Sequence, residues 1–351
     1  MIMKKVKWGV IGAGGIADRR TIPGMMLSQN AELFAVMEVT REFADRIAAK
    51  YGVKYAYDSE DELLANAEID AVYIASPVAA HYRQTVKAAQ NRKHILLEKP
   101  LALTTREGAE LIALCESENV LFASGFMMRY HAYHQKAKEL VSSGALGQIV
   151  SMRAQLTCWY PEIAGCWRQS FAQSGGGSLM DMGVHCVDLL QFISGAYVTR
   201  VSAMTGTKTF SYDVEDSASL LMEFDSGAFG YVDAHFNIPD NAAQCRLEIY
   251  GTKGSILADG TIGQAEGGQM LLTVSDDDDL EYSAIQDRGQ NGGIAIEAVL
   301  GNMYEKEITS FGNSILNGEK VEAPASDALQ VQKIVECAYQ SSRERRIVDV
   351  D

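Results

Sequence analysis

The stretch Val6–Ala17, VKWGVIGAGGIA, constrains the fold more than any other. An apolar run breaks into glycines, and the chain then resumes a helical pattern in IADRRTIPGMM. A strand apolar on both faces must be covered on both faces, which in practice means parallel pairing with crossover helices. The alternation repeats along the first ~125 residues. AELFAVMEV reads as a strand and REFADRIAAKYG as a helix closed by Gly52. DAVYIASP, HILLEKP and LFASGFM are further strands, separated by the helical patterns HYRQTVKAAQNRK and TREGAELIALCESENV. The expected fold is an α/β Rossmann domain, a parallel sheet with helices on both faces and right-handed crossovers.

After about residue 130 the period changes from helical to alternating. QIVSMRAQLT, VTRVSAMTGT, ASLLMEFDSGAFGYVDAHF and CRLEIYGTKGSILAD read as half-buried strands, with DSG and GTKG as hairpin turns. Helical patterns return at 305–316 and 326–342. This half is expected to be an α+β domain with a large, mostly antiparallel open sheet. The expected boundaries are 1–127 and 128–351, with the last helix able to pack back on the first domain. A chain of 351 residues suits two such cores.

The formal net charge is −15, which disfavours nucleic acid and anionic membranes as partners. Part of the acidity is the run SDDDDLEY at 275–282, read as a solvated hairpin tip because it lacks the spacing, glycine and closing glutamate of a calcium loop. No apolar run is long enough to span a membrane, and MIMKKVKWGV reads as a first strand, not a leader. Six scattered cysteines form no CxxC pair, so free thiols in the cytoplasm are expected, with no metal site. No G-x-S-x-G elbow, HExxH helix or Walker lysine is present.

Gly12-Ala13-Gly14-Gly15-Ile16-Ala17 matches the G-x-G-x-x-A fingerprint. The first glycine permits the tight turn, the second lets backbone approach a pyrophosphate, and the small alanine lets helix and strand pack closely. Its position, after the first strand and opening a helix, is the context that gives the motif meaning. Glu38 closes the second strand, where a carboxylate can accept from ribose hydroxyls and repel a 2′-phosphate. The expected cofactor is therefore NAD, with NADP less favoured and Arg41 near enough to soften the preference.

GVIGAGGIADR, DAVYIASPVAAHYRQT, HILLEKPLALT and GGGSLMDMGVHCVDLL, in that order and spacing, resemble the glucose-fructose oxidoreductase/inositol dehydrogenase (Gfo/Idh/MocA) family. The segment CWRQSFAQSGGGSLMDMGVH resembles its 1,5-anhydrofructose reductase branch. The resemblance implies reversible hydride transfer between a nicotinamide and a sugar, glycoside or inositol. It also implies a homo-oligomer, dimer or tetramer, formed through the open sheet. Cofactor contacts fall on Gly12, Gly14, Gly15, Ile16, Glu38, Ser76, His81 and Glu98. One departure is Val78, where family members often carry asparagine.

The same match makes Lys99 of Glu98-Lys99-Pro100 a catalytic residue beside the reacting carbinol; spacing alone also allows a surface lysine. Asp181 and His185 stand four apart in an otherwise apolar helix, so they share a face. They are either a satisfied core pair or an active site in which His185 exchanges the hydroxyl proton and Asp181 supports it or binds substrate. The glycines before them read as room for substrate or as a flexible lead-in. Trp167 and Arg168 suit a sugar's apolar face and its hydroxyls, or serve as a loop anchor. Arg129 and Tyr130 bind substrate or, for Arg129, form an inter-domain salt bridge. Tyr160 and His131 are weaker candidates, and His235 is a sheet residue. Competing functions are an NAD-retaining glycosidase that oxidises transiently, and a non-catalytic nucleotide sensor.

Overall fold

The structure, a computed structural model, describes residues 4–275 and 293–350, so 276–282 of the acidic run lie outside the described residues. Contacts divide the chain into two compact units: Met1–Tyr130 with Ser170–Gly175 and Asn302–Gln332, and His131–Gln169 with Gly176–Gly301 and Lys333–Asp351.

In the first unit the strands are β1 (Val6–Ile11), β2 (Ala31–Met37), β3 (Tyr55–Tyr57), β4 (Ala71–Ile74), β5 (His94–Leu97) and β6 (Phe122–Ser124). They form one sheet in the order β3-β2-β1-β4-β5-β6, with every pair parallel. The order reverses between β1 and β4, and ligands of open α/β sheets bind at such a reversal, outside the carboxyl ends of the strands. β1 and β4 are buried almost throughout, as their unbroken apolar runs require. The helix Met303–Asn317 completes this core. Its Ile308 and Phe311 pack with Trp8, and the Trp8 and Phe311 rings lie 5.9 Å apart. Asn30 ties the helix down by donating to the Thr309 carbonyl at 2.9 Å and to Asn313 Oδ1 at 2.8 Å.

The second unit contributes β7 (Ile149–Thr157), β8 (Val198–Gly206), β9 (Ser217–Phe224), β10 (Phe229–His235), β11 (Leu247–Gly251), β12 (Gly254–Asp259), β13 (Gln269–Val274), β14 (Ile294–Ala295) and β15 (Val348–Asp349). Their order is β14-β13-β12-β11-β7-β10-β9-β8-β15. β7 and β10 run parallel; the other described pairs are antiparallel. β9 and β10 alternate buried and open residues. The buried set faces the helix Val184–Ser194, which also packs on Ala132–Ser142. On the opposite face Met204, Leu221, Phe229, Tyr231 and Tyr250 are exposed. DSG and GTKG connect β9 to β10 and β11 to β12, as the turn residues predict. His235 is a ladder residue paired with Thr157 and Ser217. All six cysteines are free thiols. Among the described residues no helix is long and apolar enough to cross a membrane.

Candidate active site

In the first unit the glycine loop leaves β1 at its carboxyl end. Gly12 has φ +75°, and a Cβ there would run into the backbone of Ala75 and Ser76 on the neighbouring strand exit. Gly15 has φ +55° with nothing within 4 Å of its Cβ position, so the top of the loop is open. Glu38 reaches back from the end of β2. Its Oε1 accepts from Gly14 N–H at 2.6 Å and its Oε2 from Val39 N–H at 3.2 Å. A carboxylate has about four acceptor sites, so lone pairs remain for ribose hydroxyls. Arg41 is turned to Asp45, Nε to Oδ1 2.8 Å, in an exposed helical pair. The residues present therefore fit a dinucleotide: a free loop top at a helix start, with an acceptor placed beside it.

Two strand exits away, β4 and β5 are joined through His81. This imidazole is buried, with Nδ1 2.8 Å from the Pro100 carbonyl and Nε2 2.9 Å from the Ser76 carbonyl. A neutral ring can donate to only one of the two. Burial nevertheless dominates and pushes its pKa down to about 4, against the two carbonyls. Ser76 Oγ hydrogen-bonds Gln84, and Gln84 Nε2 donates to Glu60 at 2.9 Å. His81 thus braces the loop that carries Lys99. Val78 is buried in the first turn of the helix Val78–Gln90.

Glu98 accepts from the Tyr73 hydroxyl, which in turn accepts from Thr21 Oγ1 at 2.9 Å. Sequence reasoning missed Tyr73 and also Glu307, which lies 2% exposed on the returning helix. Burial, and then the charge of Glu98, hold the Glu307 carboxyl well above its ordinary pKa. No local pattern marks Glu307, because the like charge it feels, Glu98, comes from a segment some 200 residues earlier.

Arg129 is 4% exposed and donates to the Glu322 carbonyl at 2.7 Å and to Asp327 at 2.8 Å. It is an ion-pair anchor inside the first unit. Burial, and then Glu307, raise the pKa of the neighbouring Tyr130.

In the second unit the helical segment carrying Asp181 and His185 opens with a π-wound turn, Leu179–Gly183, where Val184 N–H reaches the Leu179 carbonyl. Such turns recur at functional sites because they re-aim side chains. His185 is buried in the first turn of Val184–Ser194, while Asp181 keeps partial solvent access. Arg168 comes 3.4 Å from Asp181 Oδ1, and its guanidinium lies 4.3 Å from the centre of the Trp167 ring. The structure thus gathers Trp167, Arg168 and Asp181. Tyr160 contacts Cys166 Sγ at 2.9 Å and packs its ring on Phe236. His131 caps the helix Ala132–Ser142 and approaches the Gly267 carbonyl, a structural role. The glycines are not room for substrate. Gly176 and Gly177 are buried, and their missing Cβ positions are taken by the Tyr339 hydroxyl and the Glu215 carbonyl.

A parallel sheet with a glycine loop at the exit of its first strand is the architecture of a dinucleotide-binding domain. Residues 6–126 match the family model described as "Oxidoreductase family, NAD-binding Rossmann fold", and 134–257 match the "GFO/IDH/MocA C-terminal domain". The chain belongs to the GFO/IDH/MocA oxidoreductase family. It is 25% identical to 1,5-anhydro-D-fructose reductase of Ensifer adhaerens, over 92% of each chain. It is 28% identical to D-xylose 1-dehydrogenase (NADP(+)) 2 of Haloferax volcanii, over 98% of this chain and 99% of that one. The solved structure of a levoglucosan dehydrogenase in complex with NADH superposes with TM-score 0.88 over 99% of this chain and 100% of that one, at 23% identity. The protein is an oxidoreductase with an NAD-binding Rossmann domain.

One consequence concerns pH. The unfolded chain protonates His81 near pH 6.5, whereas the folded chain does so only near 4. Stability from this group is complete above pH 6.5 and is lost as pH falls toward 4, by about 3 kcal/mol. In urea titrations at several pH values, His81→Gln should flatten the decline relative to the wild type. Parallel curves would show that His81 is not buried in its neutral form.

Proposed function

We propose that the enzyme is NAD-dependent and oxidises a secondary alcohol of a sugar, glycoside or inositol, or reduces the corresponding ketone. Lys99 and His185 act as its acid–base groups. The observation that carries this reading is the company kept by His185. An imidazole stands one turn from Asp181, just after a π-wound turn, and Asp181 in turn meets Arg168, whose guanidinium lies over Trp167. Gly12, Gly14, Gly15 and Ile16 would cradle the dinucleotide, Glu38 would hold its adenosine ribose, and Ser76, His81 and Glu98 would shape the loops next to it. The bound nicotinamide would supply the two-electron acceptor or donor.

The protein's own groups manage the proton. In oxidation, His185 takes the hydroxyl proton while the carbon gives up its hydride; in reduction it returns that proton to the oxygen. An imidazole suits both directions near neutral pH. The Lys99 ammonium donates to the oxygen as negative charge develops on it, which lowers the barrier electrostatically. Asp181, held by Arg168, supports the imidazolium or accepts from substrate hydroxyls. Trp167 offers a face for the C–H side of a sugar ring, and Arg168 a fork of donors. Tyr130 remains a candidate substrate contact.

Three further features belong to this reading. Glu38 beside the ribose site, with Arg41 already paired to Asp45, favours NAD over NADP. The exposed apolar sheet face, with Arg153–Asp233 and Arg200–Glu223 pairs presenting both charge signs, suits a second copy of the chain. Six free thiols suit a reducing cytoplasm.

The decisive experiment is a panel of sugars, inositols and glycosides with NAD and NADP, read by absorbance of the reduced cofactor. With the best substrate, Lys99→Ala and His185→Ala should each lower kcat about 10²- to 10⁴-fold. Full turnover in either would remove the assignment. Stoichiometric NADH marks a dehydrogenase; aglycone release without NADH would mark a redox-neutral glycosidase instead. Glu38→Ser should raise the NADP/NAD ratio of kcat/KM about ten- to a hundredfold, the worth of a charged hydrogen bond. An unchanged ratio would dismiss Glu38 as the selector. Sedimentation should find a dimer or tetramer that Tyr231→Asp weakens; a monomeric wild type would refute assembly through the sheet.

A further inference from the structure

Gly176 and Gly177 have no room for side chains. Glu215 lies against them, two residues before β9, and its two carboxylate oxygens face three donors. Oε2 accepts from Gly177 N–H at 2.9 Å, and Oε1 from Leu179 N–H at 2.9 Å and from the Tyr339 hydroxyl at 2.8 Å. The Glu215 main chain adds a fourth bond, its carbonyl accepting from Ser178 N–H at 2.9 Å. A carboxyl group facing donors accepts from all of them best when ionised; burial raises its pKa, and the Leu179, Gly177 and Tyr339 donors oppose that rise. Tyr339 is suited to its part: burial, and then Glu215, hold its phenol far above the ordinary pKa, so it stays a donor.

These are the first N–H groups of the helical segment, the ones that no earlier turn can satisfy. Asp181 N–H then bonds the Gly177 carbonyl at 2.9 Å, and the π turn carries the register on to His185. The chain from Glu215 to the imidazole is therefore short: carboxylate, helix start, one wide turn, ring. A carboxylate at a helix start also complements the positive end of the helix dipole.

We infer that Glu215 is a positioning residue for the reaction, clamping the start of the Asp181/His185 helix so that both side chains are held in register, with Tyr339 as its brace. Gly176 and Gly177 are the space this clamp needs. The inference rests on the proposed acid–base role of His185. Glu215 touches neither substrate nor cofactor in this scheme; it acts through backbone.

The test uses the full chain and the best substrate of the panel. Glu215→Gln places an amide donor against backbone donors, and Tyr339→Phe removes one hydrogen bond while keeping the ring. Both are compared with the wild type for thermal stability, for NADH binding, which counts folded sites, and for kcat and KM. A misplaced catalytic group costs about ten- to a hundredfold in rate. Glu215→Gln is expected to lose that much in kcat per NADH-binding site, with NADH affinity unchanged, and Tyr339→Phe a smaller part of it. A role in stability alone predicts a lower melting temperature with wild-type kcat per site, and that result overturns the inference. If Glu215→Gln does not fold, wild-type kcat in Tyr339→Phe overturns it equally. His185→Ala separates the two claims. If it is inactive while Glu215→Gln is normal, only the clamp fails; if it turns over fully, the acid–base reading fails and the clamp's catalytic role with it.

Discussion

A parallel sheet covered on both faces leaves chemistry only at the ends of its strands. β1 and β4 are buried on both sides, so their side chains are committed to the core. What remains is the set of loops leaving the carboxyl ends: the glycine loop after β1, Glu38 after β2, Ser76 after β4 and Glu98-Lys99 after β5. Each is a place where backbone donors or polar groups sit at the sheet's edge without breaking the core. The covering layer is as necessary as the strands. Trp8 is fully buried, packed with Phe311 and Ile308 from a helix some 300 residues later.

The buried polar groups follow one rule, that each must find partners or change its charge. His81 is pushed toward its neutral form between two carbonyls, and burial pushes Glu307 toward its protonated form beside Glu98. Asp216 takes the opposite course. Burial opposes its charge, yet backbone N–H groups of Lys208, Thr209 and Phe210 hold its pKa below the ordinary value and fold the loop around it. Glu215, its neighbour in sequence, pairs the N–H groups of a helix start, although there burial outweighs the donors and raises the carboxyl's pKa. Adjacent acids on one strand lead-in thus organise two separate segments.

Much of this was legible in the sequence. The period-two and period-3.6 patterns, Gly52 as a helix stop, and the DSG and GTKG turns are local signals, set by sterics and burial within a few residues. The dinucleotide fingerprint is legible for the same reason: Gly12 needs a positive φ whatever the rest of the chain does. Arg129 was not legible. A lone arginine after a strand has the same appearance whether it meets substrate or Asp327, and the partner lies 198 positions away. Nor were the glycines at 176 and 177, which resemble a flexible lead-in until the groups that occupy their missing side-chain space are known.

By itself, then, the sequence determined the two sheet types, the glycine loop, the strand-end placement of Glu38 and Lys99, and the helical spacing of Asp181 and His185. All of these depend on neighbours within a turn or a strand. Only the tertiary structure decided how the Asp/His helix begins. Its cap comes from Glu215, 36 to 38 positions away, and its brace from Tyr339, 124 positions beyond that. A carboxylate in a strand lead-in and a tyrosine in a late helix carry no mark of each other in sequence. They meet because the unsatisfied N–H groups of a buried helix start must be paired, and the fold brings these two side chains within reach.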